Sequence, residues 1–146
     1  MSVIDQESLL EQVRERPRVL VVAPRRSGKT SFCQLWLERR EETKKPGLGA
    51  QYLALTYRQS QEFSERLGKL NIWCGASSTG LVQRETAALC LDEALCMHEE
   101  EIRAAVALQC PVFAISSSHT PENERNRQLF VDGGFVVLEA PLWLHC

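Results

Sequence analysis

Residues 18–30 read Arg18-Val-Leu-Val-Val-Ala23-Pro24-Arg25-Arg26-Ser27-Gly28-Lys29-Thr30, and the reading of this stretch decides the fold. After Arg18 the run to Ala23 is apolar and mostly β-branched, the mark of a strand buried on both faces of a parallel sheet. It empties into a loop with Walker A spacing, in which Ala23 stands at the first glycine position. Beyond the loop, within residues 29–45, Phe32, Leu35 and Trp36 fall on one helical face. Lys44 and Lys45 suit the negative end of the helix dipole, and Pro46-Gly47 stops the helix. A buried strand feeding such a loop and a helix leaving it form the context in which the pattern acquires chemical meaning. Backbone N–H groups around Ser27, Gly28, Lys29 and Thr30 are expected to converge on a phosphate at the helix N-terminus. Lys29 would neutralise the β and γ oxygens of ATP, the Thr30 hydroxyl would ligate Mg²⁺, and Gly28 lets the backbone approach the phosphates closely. The alternative is a basic strand-to-helix turn without a ligand.

Outward from this stretch the same alternation recurs. The pattern predicts strands over 51–56, 72–74, 86–91, 112–115 and 135–138, and helices over 59–67, 99–109 and 122–130, with 76–80 as a loop. Before Pro17, the spacing of Ile4, Leu9, Leu10 and Val13 predicts a short amphipathic helix within residues 1–16. Strands alternating with helices of this length mean α/β architecture, a mostly parallel sheet with helices on both faces. In such sheets ligands bind at the carboxyl ends of the strands.

Two further motifs lie just after strands. Ala87-Ala-Leu-Cys-Leu-Asp92-Glu93-Ala94 is an apolar strand ending in adjacent carboxylates, which would deliver Asp92 to the Mg²⁺ shell and place Glu93 to polarise an attacking water. Alone it would read as an ordinary acidic strand end; paired with the loop at 23–30 it reads as the second half of a nucleotide site. Phe113-Ala-Ile-Ser116-Ser117-Ser118-His-Thr120 ends in a hydroxyl cluster. In P-loop ATPases of the additional-strand type, a polar residue here touches the γ-phosphate or the water and couples hydrolysis to the next element. Thr120 followed by Pro121 also reads as a plain helix N-cap.

The 146 residues, 44% apolar and 25% charged, suit one compact domain with a single core, and two full domains do not fit. The net charge of −2 carries no footprint of an obligate nucleic-acid binder. Its distribution is uneven: residues 1–70 hold thirteen Lys and Arg against nine Asp and Glu, whereas residues 71–146 hold four against ten. Phosphate-facing chemistry is thus expected in the first half and a cation or electropositive partner in the second. The six cysteines show no C-x-x-C pair, which argues against a zinc ribbon or a secreted disulfide scaffold and for a reduced intracellular compartment. No signal peptide or membrane span is legible. Cys96, His98, His119 and His145 lack the spacing of a metal site. The run Glu99-Glu100-Glu101 reads as a solvated first helical turn, Arg39-Arg40 as a surface face, and Trp36, Trp73 and Trp143 as core.

With its flanks, the order of these pieces resembles the ATPase domain of the large terminase subunit of viral DNA-packaging motors, most closely the herpesvirus type. The Pro24-Arg-Arg-x-Gly-Lys-Thr30 form of Walker A, Leu53-Ala-Leu-Thr-Tyr-Arg-Gln-Ser60 running into a helix with Phe63, the Ser/Thr/Gly loop 76–80 before Asp92-Glu93-Ala94, and Ile115-Ser-Ser-Ser-His-Thr120 carry the resemblance, over roughly residues 18–138. It implies a P-loop NTPase of the additional-strand type that hydrolyses ATP with Mg²⁺ and moves double-stranded DNA into a capsid. By the same resemblance Arg25 or Arg26 contacts the γ-phosphate, Glu93 activates water, and Ser117 and Ser118 couple the product state to movement. The implied partners are DNA through an assembled complex, other terminase subunits and the capsid portal, in an oligomer, with the host nucleus as location. Two departures are expected: a shortened stretch between Leu67 and Thr86, where the family carries a hairpin, and no room for the nuclease domain. Competing readings are a helicase-like ATPase fragment, although a helicase needs a second motor domain, and a non-hydrolysing nucleotide-binding scaffold subunit.

Overall fold

The computed structural model describes residues 4–5, 11, 13, 16–23, 32–33, 35–37, 50–54, 72–76, 88–117, 121–139 and 143–144. Among the described residues, six strands form one sheet: β2 (Arg18–Val22), β3 (Ala50–Ala54), β4 (Ile72–Ala76), β5 (Ala88–Asp92), β6 (Val112–Ser116) and β7 (Val136–Glu139). Their order is β4-β3-β5-β6-β2-β7, and every neighbouring pair is parallel. β6 is therefore inserted between β2, which leads into the Walker A segment, and β5, which ends in Asp92. This is the additional-strand arrangement that the resemblance implied.

Parallel strands covered on both faces need apolar residues at odd and even positions alike, and the core splits along that alternation. Val19, Val21 and Ala23 of β2 and its exit lie on one face with Tyr52, Cys90, Phe113 and Ile115, beneath Val13 and the helical residues Phe32, Cys33, Trp36 and Leu37. Leu20 and Val22 lie on the other face with Leu53, Leu89, Leu91 and Ala114. That second face is covered by helix α1 (Glu99–Val106), through Ile102 and Ala105, and by helix α2 (Glu124–Asp132), through Phe130. On the first face the Phe113 ring meets Phe32 and Trp36, each with centroids 5.4 Å apart, so this one side chain seats the helix that follows the Walker A segment. Leu35, expected on the same helical face, is partly buried against the same core.

Element ends move by up to three residues from the sequence expectation, for identifiable reasons. The strand expected over 86–91 continues to Asp92, which pairs with Ile115. The helix expected over 99–109 ends at Val106, where Arg18 caps it by donating to the carbonyls of Val106 at 2.8 Å and of Leu108. The helix expected over 122–130 begins with a 3-10 turn, Pro121–Asn123, and the α-helical part runs to Asp132. It stops at Gly133-Gly134, where Gly134 adopts φ +87° and its N–H returns to the Val131 carbonyl. A Cβ on Gly133 would stand 2.9 Å from the Val106 Cβ, so a glycine there is what lets α2 approach α1.

The N-terminus departs most. Positions 11 and 13 are helical and Arg16 N–H closes the last turn on the Val13 carbonyl, but Ile4 belongs to a strand, β1 (Ile4–Asp5), paired in parallel with β8 (Trp143–Leu144). That ladder joins opposite ends of the chain, a non-local choice that local periodicity does not encode. The expected helix 59–67, the capping role of Thr120 and the shortened stretch between Leu67 and Thr86 fall wholly or largely outside the described residues.

Candidate functional site

All six strands of the main sheet run the same way, so their carboxyl ends share one edge, and three adjacent strands deliver polar groups there. β2 leaves the sheet at Ala23, whose N–H donates to the Ser116 carbonyl at 3.0 Å at the end of β6. On the other side of β6, Asp92 closes β5 beside Ile115. The exit to the Walker A segment and the acidic pair thus flank one strand, two interstrand spacings or about 10 Å apart. Arg25, Arg26, Ser27, Gly28, Lys29, Thr30 and Ser118 lie outside the described residues. Asp92, Glu93 and Ser117 are described.

Asp92 is 1% exposed. Burying a carboxylate is costly unless polar groups replace its water, and Tyr52 of β3 supplies one such group. Its hydroxyl donates to Asp92 Oδ2 at 2.5 Å. The register explains the reach: Tyr52 pairs with Cys90, so Asp92 is the diagonal neighbour on the same face, within range of an aromatic side chain. Burial and the adjacent Asp92 charge push the Tyr52 phenol well above its usual range, so the hydroxyl stays a donor. Two residues before Asp92, Cys90 shares a buried thiol contact with Cys33 of the Phe32 helix. Burial, Cys90 and then the charges of Asp92 and Glu93 push the Cys33 thiol upward. Cys33 lies three positions after Thr30, so the helix leaving the Walker A segment is docked against the end of β5.

Glu93 turns away from the strand line. It takes the left-handed conformation, φ 57° and ψ 47°, the positive φ of a non-glycine residue among the described residues. For such a residue that geometry costs about 1–2 kcal/mol. It initiates the 3-10 turn Ala94–Cys96. Its half-buried carboxylate accepts from the Ser117 hydroxyl at 3.0 and 3.2 Å and from the Ser117 N–H at 3.4 Å. The turn behind it is gripped from two sides. Leu95 N–H donates to Ser116 Oγ at 3.3 Å, and the Asn126 amide of α2 donates to the carbonyls of Leu95 and Met97 at 2.9 and 3.0 Å. Strained backbone held in place by its surroundings is characteristic of functional positions.

The sequence reading grouped Asp92, Glu93 and Ser117, and the structure brings these three to one edge. It named Ser116 only as part of the hydroxyl cluster and did not single out Tyr52 or Asn126. Tyr52 looked like one more apolar position in a strand, and nothing local links position 52 to position 92. Cys96 and His98 are both exposed, and among the described residues no group of three His, Cys, Asp or Glu is placed to hold a metal ion. The Glu99 carboxylate, in the acidic first turn of α1, meets Arg103 at 2.6 Å and Arg125 at 2.9 Å, and Arg103 first, then Arg125, holds it below the usual carboxylate range. Among the described residues no helix is long and apolar enough to cross a membrane.

Asp92 suits Mg²⁺ by its donor type. That cation takes hard oxygen ligands, typically one or two carboxylates together with substrate phosphates, and Asp92 offers a carboxylate at the sheet edge beside the exit of β2.

No protein-family model and no curated protein sequence matches the chain. Among solved structures it is similar to the crystal structure of the Pyrococcus furiosus Hef helicase domain, with a TM-score of 0.65 and 16% identity over 96% of this chain. The chain spans 38% of the length of that helicase chain. At this identity the likeness is one of fold, an α/β domain.

Proposed function

We propose that the chain is the ATP-hydrolysing module of a viral motor that packages double-stranded DNA, of the large-terminase kind. The observation that carries the nucleotide reading is the strand order, in which β6 separates β2 from β5 and Asp92 and Glu93 stand beside the exit to residues 24–30. In this reading Lys29 and the N–H groups of Ser27, Gly28, Lys29 and Thr30 hold the triphosphate. Thr30 and Asp92 would hold Mg²⁺, which would neutralise charge on the triphosphate. Arg25 or Arg26 steadies the γ-phosphate. Glu93 accepts a proton from the water that attacks the γ-phosphorus as the bond to the ADP oxygen breaks. Ser117, already hydrogen-bonded to Glu93, passes the change of state along β6, with Ser118 beyond it. The terminase assignment rests on the Pro24-Arg-Arg-x-Gly-Lys-Thr30 and Asp92-Glu93-Ala94 motifs. It carries with it DNA, other terminase subunits and the capsid portal as partners, an oligomeric assembly and a nuclear location.

The helicase-like fold keeps a second reading, a fragment of a nucleic-acid-translocating ATPase of the helicase type. ATP turnover by the full chain, alone and with double- or single-stranded DNA, separates the readings. Stimulation by duplex supports the packaging motor, and stimulation by single strands supports the helicase type. Tight ATP binding without turnover supports a scaffold subunit. Lys29→Ala is expected to abolish calorimetric binding of ATP with Mg²⁺, and unchanged affinity in the folded variant refutes the nucleotide site.

A further inference from the structure

We infer that Tyr52 is the positioning residue for the metal-binding carboxylate of this site: its hydroxyl fixes the orientation in which Asp92 is presented to Mg²⁺. The inference rests on the nucleotide-site reading of the preceding subsection and extends it to a residue outside every recognised motif. Position 52 lies on a strand whose described neighbours, Gln51, Leu53 and Ala54, are all buried, and an apolar ring there would satisfy the packing. The hydroxyl is the part that packing does not require. It donates to Asp92 Oδ2 at 2.5 Å, the distance of a charge-assisted O–H···O⁻ bond, with both side chains buried. Because the Tyr52 ring is fully shielded from solvent in the core cluster that also holds Phe32, Cys33 and Trp36, the donor has little freedom to follow the carboxylate. It is the carboxylate that is held. A ligand whose rotation is fixed in advance binds its metal with less ordering to do. Hydrogen-bond partners of metal ligands typically contribute about 10–100-fold to metal affinity.

The test measures binding of a fluorescent ATP analogue to the full chain as MgCl₂ is titrated, and again in excess EDTA. Tyr52→Phe keeps the ring and deletes the hydroxyl. The Mg²⁺ concentration at half-saturation is expected to rise about 10-fold or more, while affinity in EDTA stays at the wild-type value. Asp92→Asn is expected to lose the Mg²⁺ response, and adding Tyr52→Phe to it to change nothing further. An unchanged Mg²⁺ half-saturation in folded Tyr52→Phe overturns the inference and leaves the nucleotide site standing. Equal weakening with and without Mg²⁺ also overturns it, since that is what a packing role would produce. Should Tyr52→Phe fail to fold, Asp92→Asn decides: a wild-type Mg²⁺ response there leaves Tyr52 no ligand to position. A wild-type chain that binds no analogue under either condition overturns the nucleotide site and the inference together.

Discussion

Replacing Ser117 by alanine deletes the hydroxyl that reaches both carboxylate oxygens of Glu93, at 3.0 and 3.2 Å, and leaves the backbone N–H at 3.4 Å in place. One hydroxyl proton is shared between two oxygens, so the loss is one hydrogen bond to a charged group. Such bonds are worth about 1.5–3 kcal/mol net, and the half-buried setting of both residues puts this one near the lower bound, about 1.5 kcal/mol. The bond also helps to hold Glu93 in its left-handed conformation, which otherwise costs about 1–2 kcal/mol. In urea, with a slope of about 2 kcal/mol per molar for a domain of this size, Ser117→Ala should lower the unfolding midpoint by about 0.7 M without changing the slope. In a Glu93→Gln background the acceptor is neutral and the bond roughly half as strong, so the same substitution should cost only about 0.7 kcal/mol. The difference between the two backgrounds is the coupling between Ser117 and Glu93, and it exceeds the few tenths by which independent sites fail to add. A midpoint shift below about 0.2 M, or an equal cost in both backgrounds, would refute the account of Glu93 as held by Ser117.

Phe113→Ala should destabilise the domain by about 3–5 kcal/mol, read by urea unfolding. It should also collapse the near-ultraviolet circular dichroism of Trp36, whose indole stacks on that ring at 26°. Buried Cys33 and Cys90 should resist iodoacetamide at neutral pH in the native state, since burial raises both thiols and keeps them protonated. Exposed Cys96 should react readily. Mass spectrometry of the alkylated peptides reads both outcomes, and native labelling of Cys33 would contradict the docking of its helix on β5.

The apolar runs 19–23, 87–91 and 112–115 were legible as strands from local pattern, because a strand covered on both faces is apolar at odd and even positions alike and so interrupts the helical period. The acidic pair, alone an ordinary strand end, was legible because it follows such a run in a chain that also carries the loop at 23–30. Sequence patterning placed Asp92, Glu93 and Ser117 after strands, and the rule that ligands gather at strand ends made them candidates. What the patterning did not contain was the order of those strands. Whether β6 lies between β2 and β5 depends on which edges pair across tens of residues, and every parallel strand of this kind looks alike locally. The same limit hid β1 and β8, whose pairing joins the two ends of the chain, and the Tyr52 to Asp92 hydrogen bond, which spans forty residues and exists only because β3 and β5 are neighbours in register. The left-handed backbone at Glu93 belongs to this group too, since a glutamate has no intrinsic preference for it. Ser117 from β6 holds its carboxylate, and Ser116 and Asn126 hold the turn behind it. Local burial and period determined which segments are strands and where their polar ends fall. The three-dimensional pairing of distant segments decided which of those polar ends meet.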